Sequence, residues 1–166
     1  MMLDAPGLIE KHRSKGVLVD TNLLVLYLVG RVNKDRIPGF KRTQTYTVKD
    51  FELLERLIVW FGGLITTPHI LSQVSDLTAL PGKELRAVRS CFKVAVEAME
   101  ECYDESRIVV NDPSFERLGL TDAAIATLCR RELLVLTDDL DLQITLQRRG
   151  ADAINFNHIR PLTWRL

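Results

Sequence analysis

The stretch Val17-Leu18-Val19-Asp20-Thr21-Asn22 constrains the fold most. Three consecutive apolar residues, two of them β-branched, read as a short strand buried on both faces, the kind found in parallel sheets. The strand runs straight into an aspartate, a threonine and an asparagine, and then into the apolar run Leu23 to Val29, which reads as a helix starting off the strand. Asp20 is therefore delivered to the C-terminal tip of a buried strand. In an open α/β sheet, ligands bind at that edge.

The rest of the chain repeats the alternation. Helical spacing of Phe51, Leu54, Leu57, Ile58 and Phe61 predicts a helix over 50–61, broken by Gly62-Gly63. A short strand follows over 64–66. Thr67-Pro68 then reads as an N-cap with proline at the first helical position, and that helix runs to Leu80, where Pro81-Gly82 stops it. The stripe Leu85, Val88, Phe92, Val96 and Met99 predicts an amphipathic helix over 83–102. A third strand is expected over 107–110. Thr121 is expected to cap an Ala-rich helix over 122–131. A strand over 133–136, a helix ending at Gly150, a last strand over 153–156 and a short tail over 157–166 complete the pattern. Strands alternating with helices predict a parallel sheet with helices on both faces, a three-layer α/β/α sandwich. The length of 166 residues fits one domain. There is no apolar run long enough to span a bilayer, and Met1 to Ser14 lack the order of a signal peptide, so the expected location is the cytoplasm. Cys91, Cys102 and Cys129 form no CxxC pattern and read as reduced, structural thiols.

Net charge is zero but unevenly placed. Residues 1–49 hold nine Lys or Arg against four Asp or Glu, and residues 50–166 hold thirteen against eighteen. A basic front and an acidic body suit a nuclease, whose acids hold metal while its cations hold phosphates. A solvated charged surface fits the same counts. The long connection 31–49 carries Arg31, Lys34, Arg36, Lys41 and Arg42, the candidates for nucleic-acid contact.

Three aspartates share one local context. Asp20 ends a strand, Asp122 opens a helix, and Asp139 follows the strand 133–136 at a helix start. Each alone reads as a helix N-cap. Three on one edge repel one another, and a cation is what makes them tolerable. Carboxylate oxygens without His or Cys point to Mg²⁺ or Mn²⁺. Such an ion suits in-line hydrolysis of a phosphodiester by a metal-bound water.

Val-Asp-Thr-Asn at 19–22, Thr-Pro-His-Ile-Leu-Ser-Gln at 67–73, Leu-Thr-Asp-Ala-Ala-Ile at 120–125 and Leu-Thr-Asp-Asp-Leu-Asp-Leu at 136–142 together resemble the ordered motifs of PIN-domain nucleases, over about 16–156. The resemblance implies a five-stranded parallel sheet between helices and a Mg²⁺- or Mn²⁺-dependent endoribonuclease. It further implies the toxin of a toxin–antitoxin pair, with a small antitoxin protein as partner and a homodimer as assembly. Carried over by position, Asp20, Asp122 and Asp139 match the metal-binding aspartates. Asn22 and Thr137 match the polar residues that orient them, and Asp141 stands as an outer acid. Asp139 is preferred to Asp138 because the family pattern is Thr-x-Asp, which Thr137 anchors.

Gln73 departs from the pattern, which has a glutamate there. An amide of nearly the same shape offers a carbonyl oxygen or a hydrogen bond, but it cannot neutralise a cation or act as a base. The change is either a natural weakening or an engineered inactivation of a toxic nuclease. Asp76, three residues on along the same helix face, is the residue placed to compensate. Two alternatives therefore stand beside the endoribonuclease: an inactive PIN-fold module that binds RNA or regulates, and a nuclease for DNA or for particular nucleic-acid structures.

Overall fold

Strand β1 (Val17–Val19) is the central strand of a five-stranded sheet, and all three of its residues are buried. The computed structural model describes residues 4–161. β1 pairs in parallel with β2 (Leu64–Thr66) on one side, Leu18 facing Ile65, and with β4 (Leu134–Thr137) on the other, Leu18 facing Val135. The outer strands are β3 (Glu100–Glu101) beside β2 and β5 (Asp152–Asn155) beside β4, both also parallel. A parallel sheet needs a crossover after each strand, and those crossovers are helices that cover its faces.

The helices in chain order are α1 (Ala5–Lys11), α2 (Thr21–Val32), α3 (Val48–Phe61), α4 (Pro68–Leu77), α5 (Lys83–Ala98), α6 (Ser106–Val109), α7 (Phe115–Thr127), α8 (Leu140–Arg148) and α9 (Phe156–Ile159). α2 packs against α3, α4 and α5, whereas α8 packs against α7 and β5. The expected α/β sandwich with a five-stranded parallel sheet is thus the observed architecture. Its core is built mainly of apolar side chains: Leu18, Leu23, Phe51, Phe61, Ile70, Leu136 and Phe156 are all fully buried. Each such side chain contributes roughly 1.5–3 kcal/mol of transfer free energy. Among the described residues no helix is long and apolar enough to cross a membrane.

Helix ends follow the local chemistry. Thr47 and Asp50 form a reciprocal capping box at the start of α3, and Gly62 closes that helix in the left-handed conformation (φ +80°). Thr67 caps α4 through the Ile70 amide at 3.1 Å, with Pro68 in its first turn, as its sequence predicts.

Five local expectations are corrected. Residues 107–110 are not a strand: Ser106–Val109 is the short helix α6, which buries Val109 against α7. The third strand lies instead at Glu100–Glu101, inside the stretch expected to continue α5, which ends at Ala98. Thr121 is not an N-cap. It lies within α7, which is kinked at Gly119 (φ +78°, ψ 178°), so that Leu120, Thr121 and Asp122 form the first turn after the kink. Helix α1, capped by Asp4, was not expected at all. The tail expected over 157–166 begins instead with α9, and beyond residue 161 it lies outside the described residues.

Strand order places the site. From β1 the sheet grows through β2 to β3, then returns to the far side of β1 for β4 and β5. The direction reverses between β1 and β4, and at such a reversal the C-terminal strand ends leave an open crevice.

Candidate functional site

Both strands at the reversal end in acids. Asp20 follows β1, and Asp138 and Asp139 follow β4. They open into a cleft of about 630 Å³. One wall is α4, which contributes His69, Ser72, Gln73 and Asp76. The opposite wall is the kinked part of α7, with Gly119, Thr121 and Asp122, and the floor is the start of α2 with Thr21 and Asn22. The four Asp residues that the motifs brought into question, 20, 122, 138 and 139, therefore share one cleft. Among the described residues none of those lining it is Lys or Arg.

Asp20 is the most buried, at 5% exposed. Its two oxygens have separate tasks. Oδ1 accepts from the Leu23 amide at 3.3 Å and caps α2; Oδ2 accepts from the Thr137 hydroxyl and from the Asp138 amide at 3.1 Å. Burial raises the Asp20 pKa well above the usual carboxylate range, and the charge of Asp138 adds to it. The hydrogen bonds from Thr137 and the two amides pull the other way. Asp122 is half-buried and pushed up to about 6, by burial first and then by Asp139 and Asp138. These are carboxylates crowded beyond what their surroundings neutralise.

The residues expected to support the carboxylates each hold a neighbouring one. Thr137 orients Asp20, and its oxygen also accepts from the Asp139 amide at 2.9 Å. Asn22 donates to both oxygens of Asp138, at 3.3 and 3.4 Å. Asp139 accepts from the Leu142 amide at 2.9 Å and caps α8. Gln73 lines the cleft, and its side-chain oxygen accepts from the Thr21 hydroxyl at 3.0 Å. Asp76 lines the same wall one turn further along α4.

Other expected residues stand apart. Asp141 does not line the cleft and instead faces Arg117 at 3.7 Å. Arg31 lies at the far end of α2 from Asp20 and pairs with Glu55 at 3.0 Å; Lys34 pairs with Glu52 at 3.1 Å and Arg36 with Glu84 at 2.8 Å. Lys41 and Arg42 are exposed and line no part of the cleft. The basic connection reaches the site by a different residue: the buried Tyr46 donates its hydroxyl to Asp138. Burial and the Asp138 charge hold the Tyr46 pKa far above its ordinary value, so the phenol remains a donor. Tyr46 is a residue the sequence did not single out, and Asp138 is the one it ranked below Asp139. Tyr46 meets Asp138 across 92 positions, which no local pattern signals.

The donor set fits a hard divalent cation. Its charged groups are all carboxylates, and two of them, Asp20 and Asp122, are raised first by burial and then by neighbouring carboxylates. Among the described residues no group of three or more His, Cys, Asp or Glu side chains is placed, as it stands, to hold a metal ion. No family profile, curated protein or solved structure matches the chain.

Proposed function

We propose that the chain is a Mg²⁺- or Mn²⁺-dependent endonuclease of the PIN type, acting on RNA as the toxin of a toxin–antitoxin pair. RNA and the toxin role rest on the motif resemblance, and one observation supports the cation site: Asp20, Asp122, Asp138 and Asp139 line a single cleft at the sheet's reversal point, with no cation of the protein's own among the lining residues described. Such a cleft repels a bare phosphodiester, so an added cation is what would allow the substrate to enter. The aspartates would hold the cation, which when bound would activate water and neutralise charge developing on the phosphate.

The chain's own residues prepare the cleft. Thr137 and the Asp138 amide fix Asp20 so that its carboxylate need not reorganise. Thr21 fixes the Gln73 oxygen and leaves the amide nitrogen to donate to a phosphate oxygen. His69, at the first turn of α4, stands at the cleft wall within reach of a substrate group.

The test is incubation of purified protein with labelled RNA and Mn²⁺, with and without EDTA. EDTA-sensitive cutting is expected. Gln73 favours a second reading, an RNA-binding module without turnover, because an acid is missing and the amide oxygen is already engaged. RNA retention without cutting would support that module. Cutting of DNA but not RNA would redirect the substrate.

A further inference from the structure

Two side chains hold the Asp138 carboxylate, and one of them comes from a distant loop. Its Oδ2 accepts from the Tyr46 hydroxyl, and both oxygens accept from the Asn22 amide. Its backbone carbonyl accepts from Asn157 Nδ2 at 3.1 Å, and its own amide is spent on Asp20. Tyr46 is itself clamped. Its ring packs against Phe156 at 6.3 Å between centroids, and the Arg160 guanidinium lies 5.0 Å from its ring centre. Arg160 also donates to the Thr45 carbonyl at 2.9 Å, to Asp50 at 2.7 Å and to Asn157 at 3.1 Å. The loop before α3, the start of α3 and the turn of α9 thus converge on one phenol, and that phenol points at one carboxylate.

A buried hydroxyl needs a partner, but burial alone does not require that partner to be an acid at a cleft. A carboxylate has about four lone-pair positions. Tyr46 and Asn22 take both positions on Oδ2 and one on Oδ1, which leaves the remaining position on Oδ1 for the cleft that Asp138 lines. This is how groups behind a metal ligand act: they fix its rotamer and do not touch the ion.

We propose that Asp138 is a cation-holding carboxylate of the cleft and that Tyr46 is its positioning residue. This rests on the reading of the cleft as a divalent-cation site. Tyr46→Phe removes the hydroxyl and keeps the ring that packs on Phe156 and Arg160. Mn²⁺ binding is measured by calorimetry and by the Mn²⁺ spin-resonance signal, on wild type, Tyr46→Phe, Asp138→Asn and the double variant, with thermal unfolding as the folding control. Tyr46→Phe is expected to weaken Mn²⁺ about tenfold. Asp138→Asn is expected to weaken it at least as much. Added to Asp138→Asn, Tyr46→Phe is expected to cost nothing further, since it acts through that carboxylate. Wild-type affinity in Tyr46→Phe would overturn the proposal, as would two losses that simply add. Wild type that binds no Mn²⁺ would instead overturn the cation reading of the cleft, and the proposal with it.

Discussion

Replacing Asp122 with asparagine should make the metal-free protein more stable. Asp122 is half-buried between Asp139 and Asp138, and its pKa stands at about 6 instead of 3.8. At neutral pH the native state must keep this group ionised against burial and two like charges, whereas the unfolded chain ionises it freely. The raised folded pKa means that the native state binds the proton more tightly, so wild-type stability falls as pH rises from about 4 to about 6 and stays lowered above that. At roughly 1.36 kcal/mol per unit, the displacement corresponds to about 3 kcal/mol, of which water reaching the group screens part, leaving about 1–2 kcal/mol. For a chain of this size that is a rise in Tm of roughly 3–6 °C. The assay is thermal unfolding followed by circular dichroism in EDTA, from about pH 4 to about pH 8. The gain of Asp122→Asn should be full near pH 7.5 and vanish near pH 4, within about the window set by the two pKa values. Saturating Mn²⁺ should reverse the order, because it stabilises the form that binds it. An unchanged or lower Tm in EDTA at neutral pH would refute the reasoning, as would a gain of equal size at acid pH.

Two further outcomes follow from the same geometry. Gln73→Glu restores a charge on the α4 wall and should tighten Mn²⁺ binding and raise the cleavage rate; flat titrations and flat rates would show that Gln73 does not stand in for an acid. Away from the cleft, Asp112 takes two hydrogen bonds from Arg149, at 2.7 and 2.9 Å, and these hold its pKa below the usual range. Asp112→Asn should therefore cost about 1–3 kcal/mol in urea unfolding at neutral pH. Because the folded pKa is depressed, that difference should shrink as pH falls below about 4 through the folded value; a pH-independent difference would count against the ion pair as its source.

The sheet was legible wherever a strand was apolar and ended in a helix-capping residue. Val17–Val19, Leu64–Thr66 and Leu134–Thr137 are buried on both faces, so hydrophobicity alone marks them. β3 was not legible, because Glu100–Glu101 is a two-residue exposed edge that pairs only with β2 and has no apolar face to reveal it. Ile108 to Val110 carried the β-branched signal instead, but a single buried valine, Val109, anchors them as part of a helical turn. At the site, Asp20 and Asp139 were legible because each caps a helix just after a strand, and Asp122 because it falls in the first turn after the α7 kink. Asp138 was passed over for its neighbour, and Tyr46 was hidden in a connection read for its charge. What holds Asp138 comes from residues 22, 46 and 157, and contacts at such separations leave no periodic trace. The pairing of the basic connection was not legible either: Arg31, Lys34 and Arg36 each pair with a glutamate distant in sequence.

In the proposed function the cleft's aspartates hold a divalent cation, with Asp20 among its ligands. Asparagine at position 20 keeps the size of the side chain and its ability to cap α2, and removes only the charge. Calorimetric titration of Mn²⁺ into wild type and Asp20→Asn, both verified as folded, tests this directly. The account predicts saturable binding by the wild type and its loss in the variant; equal Mn²⁺ affinity in the two proteins would contradict it.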